Sequence, residues 1–95
     1  MRKFTKYPSN YVKAYTKIKD CYFVICFNGG GTGRRYGYLG DAIKDLKAMI
    51  DNAIRNYGVE YVDFEDCFIA EEINGDEIGE VAYRAADDSY FSDYL

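Results

Sequence analysis

Polar and apolar residues alternate without a break over residues 11–19. Val12, Ala14, Thr16 and Ile18 share one parity, and Tyr11, Lys13, Tyr15, Lys17 and Lys19 share the other. That is the period of a strand buried on one side. Pro8 and the Ser9-Asn10 pair mark the break before it. From Cys21 to Phe27 both parities are apolar, as in a central strand. Asp20 is expected in a tight turn between these two strands. The run Asn28-Gly29-Gly30-Gly31-Thr32-Gly33 reads as a loop. Residues 34–39 form a candidate short strand with Arg34, Tyr36 and Tyr38 on one face.

The pattern then changes period. Across 41–57, Ile43, Leu46, Ile50, Ala53, Ile54 and Tyr57 fall on one helical stripe with Met49 beside it. Gly40 or Asp41 is the expected N-cap, and Gly58 stands where a helix-terminating glycine belongs. Asp51 and Arg55 are spaced for an i, i+4 ion pair. Residues 59–73 return to a strand-like pattern, with Val62, Phe64, Phe68 and Ala70 on one parity. Asp66 interrupts that parity, which predicts a bulge or break near Glu65-Asp66. Asn74-Gly75 is a two-residue hairpin signal, with 78–85 as the return strand. Such a turn sets Ile73 opposite Asp76 and Phe68 opposite Val81. The predicted fold is α+β: one antiparallel sheet of two hairpins and a possible fifth short strand, with a single helix across it. The 95 residues are expected to form one domain, with 87–95 as an acidic, aromatic tail that is either flexible or partly ordered by its own rings.

Charge adds a second pattern. Residues 1–35 hold eight Lys or Arg against one acid, whereas 60–95 hold twelve acids against one base, Arg84. The whole-chain charge of −4 conceals this split. It predicts either electrostatic docking onto a partner or two halves that neutralise each other, within one chain or across a homodimer. Eleven Tyr and six Phe in so short a chain suit half-buried faces and contact surfaces. Cys21, Cys26 and Cys67 have no metal-binding spacing and lie in apolar runs, which fits a reducing, cytoplasmic setting. The longest apolar run is too short to span a bilayer, and no secretory h-region follows the basic start, so no membrane association is expected.

Candidate chemistry is sparse. A G-x-G-x-x-G motif from Gly29 needs glycine where Arg34 stands, and one from Gly31 needs glycine where Tyr36 stands. The glycines therefore read as a flexible hairpin loop, or as a mobile grip with Arg34 and Arg35 at its base. Asp63, Glu65 and Asp66 lack the sixth-position glycine of a calcium loop, and no lysine lies between Asp63 and Glu80 to complete a nuclease-like set. With no histidine, Ser–His and Cys–His nucleophiles are excluded and a structural zinc site is not expected. Neither an enzyme nor a cofactor is expected.

Two surfaces remain. Tyr11, Lys13, Tyr15, Lys17 and Lys19, with Arg34 and Arg35, interleave rings and cations as single-stranded nucleic-acid binders do. The alternative is a solvated face whose lysines bridge to the acidic half. Opposed to it is an acidic, Tyr-bearing array: Asp63, Glu65, Glu71, Glu72, Asp76, Glu77, Glu80, Asp87, Asp88, Tyr90 and Tyr94. Carboxylates spaced along strands can imitate phosphates and enter the Lys/Arg channel of a nucleic-acid-binding protein. The alternative is a solubilising face that protects edge strands.

The stretch YVDFEDCFIAEEINGDE and the tail DDSYFSDYL resemble, at class level, the small acidic inhibitors carried by phages and mobile elements, notably anti-CRISPR proteins. The resemblance covers the last third of the chain. It implies stoichiometric blocking of a host target such as Cas9 at its DNA- or PAM-reading surface, in the host cytosol. The basic N-terminal part departs from a uniformly acidic mimic.

Overall fold

The computed structural model describes residues 21–73 and 76–95, and for Cys21, Ile73 and residues 76–80 it describes the backbone alone. The chain runs through β1 (Cys21–Phe27), β2 (Gly30–Tyr36), a helix α1 (Leu39–Tyr57), β3 (Phe68–Ile73) and β4 (Asp76–Arg84). Single 3-10 turns at Val59–Tyr61, Phe64–Asp66 and Ala85–Asp87, and a longer one at Ser89–Tyr94, join and close these elements. The strands form one antiparallel sheet in the order β2-β1-β3-β4, with α1 across one face. The expected α+β class is therefore what the chain adopts. β1 is central, as its two-sided apolar pattern predicts. Its expected partner, 11–19, and the Asp20 turn lie outside the described residues. Both edges of β1 are taken, by β2 and by β3.

The glycine run differs from expectation. Only Asn28 and Gly29 turn, both with positive φ, at 51° and 84°. Gly30 pairs directly with Phe27, and Gly31 with Cys26. A tight hairpin of this kind requires two left-handed residues, and Asn-Gly supplies them at little cost. The register then shifts between Val24 and Cys26, with Gly33 at φ 80° on the β2 side. The Thr32 hydroxyl holds this irregularity by donating to the Ile25 carbonyl at 3.0 Å. The glycines are thus a bulged strand, and strand pairing extends to Tyr36.

The helix begins two residues earlier than predicted. Tyr38, extended at φ −125° and ψ 135°, is the N-cap and makes no side-chain cap bond. Leu39 and Gly40 are buried in the first turn, so packing Leu39 against the sheet draws the helix start forward. Ala42, Ile43, Leu46, Ile50 and Ala53 continue the buried stripe, with Met49 and Ile54 half-buried. Tyr57 leaves the stripe and stands 68% exposed. Gly58, at φ 96°, closes the helix by donating its N–H to the Ile54 carbonyl at 2.9 Å. The expected Asp51–Arg55 pair is replaced by other bonds. Arg55 donates to Asn52 Oδ1 at 2.8 Å, and Asp51 accepts from the Tyr90 hydroxyl at 2.7 Å.

Beneath the helix, Phe23 and Ile25 of β1, Ile69 of β3 and Tyr83 of β4 fill the sheet side of the core. Ile25, Ile69 and Tyr83 form one cross-strand row. The expected break near Glu65-Asp66 is present as the Phe64–Asp66 3-10 turn, so β3 starts only at Phe68. Asn74-Gly75 lies outside the described residues, but Ile73 does pair with Asp76. Further along, irregularities in β4 shift the pairing: Val81 faces Ala70, and Phe68 faces Arg84 rather than Val81. The segment 87–95 packs onto the core through Phe91, which is fully buried and lies 5.4 Å from the Phe64 ring. Asp88 fastens it by accepting from the Tyr83 hydroxyl and from the Tyr90 N–H at 2.9 Å, and by pairing with Lys47 at 3.4 Å. Among the described residues, no helix is long and apolar enough to cross a membrane.

Candidate binding surface

Asn28 organises one end of the molecule. Its left-handed backbone makes the β1–β2 turn, and its side-chain amide reaches a segment far away in sequence. Nδ2 donates to the Tyr61 carbonyl at 2.9 Å, and Oδ1 accepts the Asp63 N–H at 2.8 Å. The Cys67 thiol lies 3.6 Å from the same Oδ1. Beside it, the Gly29 N–H donates to the Asp66 carbonyl at 2.9 Å. Four bonds therefore staple the hairpin tip to residues 61–67 and fix the direction in which that segment presents its side chains.

Inside that segment Val62, Phe64 and Cys67 are buried, and Glu60, Tyr61, Asp63, Glu65 and Asp66 are exposed. Alternating 3-10 turns and extended residues turn the apolar groups inward and leave the carboxylates in water. Among the described residues, the carboxylates of Glu60, Asp63, Glu65 and Asp66 form no ion pair. Arg84 comes close, but its Nη1 donates to the Glu65 backbone carbonyl at 2.6 Å. Burial pushes the Cys67 thiol above its ordinary 9.0; Asp63 and Asp66 add to the rise, and a hydrogen bond from Asn28 opposes it.

Tyrosines adjoin the acids. The Tyr57 and Tyr61 rings lie 4.8 Å apart at 37° and are 68% and 52% exposed. With Phe27, Met49, Asn52, Ala53 and Asn56 they line a shallow hollow of about 290 Å³ at the C-terminal end of the helix.

The predicted acidic array does not form a single surface. Asp63 and Glu65 belong to the exposed end just described. Glu71 is buried at 5% exposure on the helix-covered side, opposite Phe23. Glu72 is paired with Arg35 at 2.6 Å, and Asp88 with Lys47. Asp87 is half-buried. Tyr90 hydrogen-bonds Asp51, and Tyr94 stacks on Phe64 with centroids 6.0 Å apart. Asp76, Glu77 and Glu80 lie on β4, where the backbone alone is described. Of the alternative basic face, Tyr11, Lys13, Tyr15, Lys17 and Lys19 lie outside the described residues. Arg34 and Arg35 are exposed on β2, and Arg35 also sits 4.8 Å above the Tyr22 ring.

Sequence reasoning missed Asn28, Glu60, Tyr57 and Tyr61 as surface-forming residues. Asn28-Gly29 carries the same hairpin signal as Asn74-Gly75 but is masked by the glycines after it. Among the described residues, no three His, Cys, Asp or Glu side chains converge as a metal site would require. No protein-family model matches the chain, and no curated protein or solved structure matches it.

Proposed function

We propose that this protein is a non-catalytic inhibitor that covers the basic surface of a nucleic-acid-handling protein, for example a CRISPR effector such as Cas9. The observation that carries this reading is the end of the molecule built by residues 60–66. Four exposed carboxylates stand there without ion-pair partners among the described residues, beside the exposed rings of Tyr57 and Tyr61. Unpaired acids keep their full attraction for an incoming Lys/Arg surface, and tyrosines supply apolar contact area at low entropic cost. The acidic surface is narrower than the sequence suggests. Glu72 and Asp88 spend their charge on internal cations, and Glu71 is buried.

The test is a titration of the protein into a Cas9–guide complex, with target-DNA cleavage and complex formation as readouts. Inhibition should saturate near one protein per complex. The variant E60K/D63K/E65K/D66K should lose both complex formation and inhibition while keeping its circular dichroism spectrum. Undiminished inhibition by that variant would sink the reading. So would micromolar binding of the wild-type protein to free single-stranded DNA that fades between about 50 and 200 mM salt, which marks a nucleic-acid binder instead.

A further inference from the structure

We infer that the hollow at the helix C-terminus is an anchor pocket for an arginine side chain of a basic protein partner. This deepens the inhibitor reading and rests on it. Phe27, Met49 and Ala53 make the apolar floor, and Tyr57 and Tyr61 form an aromatic wall with both rings open to solvent. At about 290 Å³ the hollow suits one long side chain; small-ligand pockets run from roughly 300 to 1,000 Å³.

Electrostatics select the sign of the occupant. The site lies at the C-terminal, partially negative end of a 19-residue helix. Glu60 adjoins Tyr61, and Asp63 is tied through Asn28 to the Tyr61 carbonyl. Arg55 is the base in the last helical turn, and its guanidinium is engaged by Asn52 at the rim of the hollow, donating to Oδ1 at 2.8 Å. Phosphates and carboxylates are disfavoured at such a place. A cation whose stem contacts Met49 and whose head lies over tyrosine is favoured. A planar guanidinium stacks on such rings better than a compact ammonium does.

The experiment titrates the full ¹⁵N-labelled chain with hexa-arginine, hexalysine and hexaglutamate peptides at about 50 mM salt. Hexa-arginine should shift the Asn56 side-chain amide and the backbone signals of Tyr57 and Tyr61, hexalysine should bind more weakly, and hexaglutamate should not bind. Both tyrosines are exposed, so Y57A/Y61A should keep the wild-type spectrum elsewhere. That variant should bind hexa-arginine about 5- to 30-fold more weakly, the loss of two exposed cation–π contacts. Equal affinity of Y57A/Y61A and wild type, with shifts confined to the carboxylate segment, would overturn the pocket and leave the acidic surface standing. Equal affinity of E60K/D63K/E65K/D66K and wild type would overturn the acidic surface itself. Self-association that Y57A/Y61A abolishes, in a protein that ignores hexa-arginine, would overturn the assignment in favour of a second copy of this chain.

Discussion

Replacing Asn28 tests how the binding end is held together. In N28A two short bonds disappear, from Nδ2 to the Tyr61 carbonyl at 2.9 Å and from the Asp63 N–H to Oδ1 at 2.8 Å. Each contributes about 0.5–1.5 kcal/mol. Alanine at φ 51° adds a left-handed penalty of about 1–2 kcal/mol. The total is about 2–5 kcal/mol, set against about 5–14 kcal/mol for a domain of this size. In N28G the backbone strain vanishes and only the bonds are lost, so its cost should be about 1–3 kcal/mol. N28D keeps the acceptor, loses the donor and brings a carboxylate up to the Tyr61 carbonyl, so it should fall between the two and suffer most at low salt. Urea unfolding followed by circular dichroism gives these differences, and amide exchange at Gly29 and Asp63 shows whether the staple opens locally. If N28A lies within about 0.5 kcal/mol of wild type, the staple does not hold the segment. If N28G is as damaging as N28A, the turn geometry is not part of the cost.

Phe91 is fully buried against Phe64, so F91A should cost about 3–5 kcal/mol in urea melts, whereas Y94A, on a half-exposed ring, should cost under about 1.5 kcal/mol. In the Arg35–Glu72 pair the Arg35 side chain is half exposed and the Glu72 side chain only 17% exposed, so E72Q should cost about 1 kcal/mol, the upper end for a surface pair, and the difference from wild type should shrink in 1 M salt. The folded protein holds the Cys67 proton above the ordinary value of 9.0, so above that pH the unfolded chain ionises first and binds fewer protons than the folded one. The stability contributed by the protonated thiol is therefore complete below about pH 9 and is lost as pH rises toward the raised value. Tyr36, raised above 10.0 chiefly by burial and then by its bond to Asp45, acts in the same direction at higher pH. Urea midpoints between pH 8 and pH 11 should fall less steeply in C67A than in wild type.

The helix and the central strand were legible because each buries a continuous set of side chains whose spacing is set by backbone geometry. Their ends were less so. Leu39 lies outside the predicted helix because a long-range contact with the sheet, rather than a capping residue, decides where the first turn forms. Tyr57 fits the apolar stripe by spacing, yet among the described residues its ring meets the exposed Tyr61 ring rather than the core. The glycines after Asn28 suggested freedom. The two-residue turn leaves no slack, and each of them is consumed by pairing or by the bulge at Gly33. The acidic array was legible as composition and not as geometry. Whether a carboxylate is spent depends on cations from other elements, such as Arg35 beside Glu72 and Lys47 beside Asp88, and these meet only in the folded chain. The single out-of-parity residue, Asp66, did mark a true discontinuity, because a charge at an apolar position cannot be buried without a partner.

The place of β1 between β2 and β3 has a consequence during synthesis. Translation delivers β1, β2 and α1 before any of β3 exists. At about 5–20 residues per second, one edge of CYFVICF waits for several seconds without its partner strand. That heptapeptide is apolar, uncharged and free of proline and glycine, the composition most given to intermolecular strand pairing. Faster emergence of Phe68–Ile73, or shielding of β1 until then, should therefore raise the yield of folded protein. The thermodynamic stability of the finished sheet does not enter until that competition has been won.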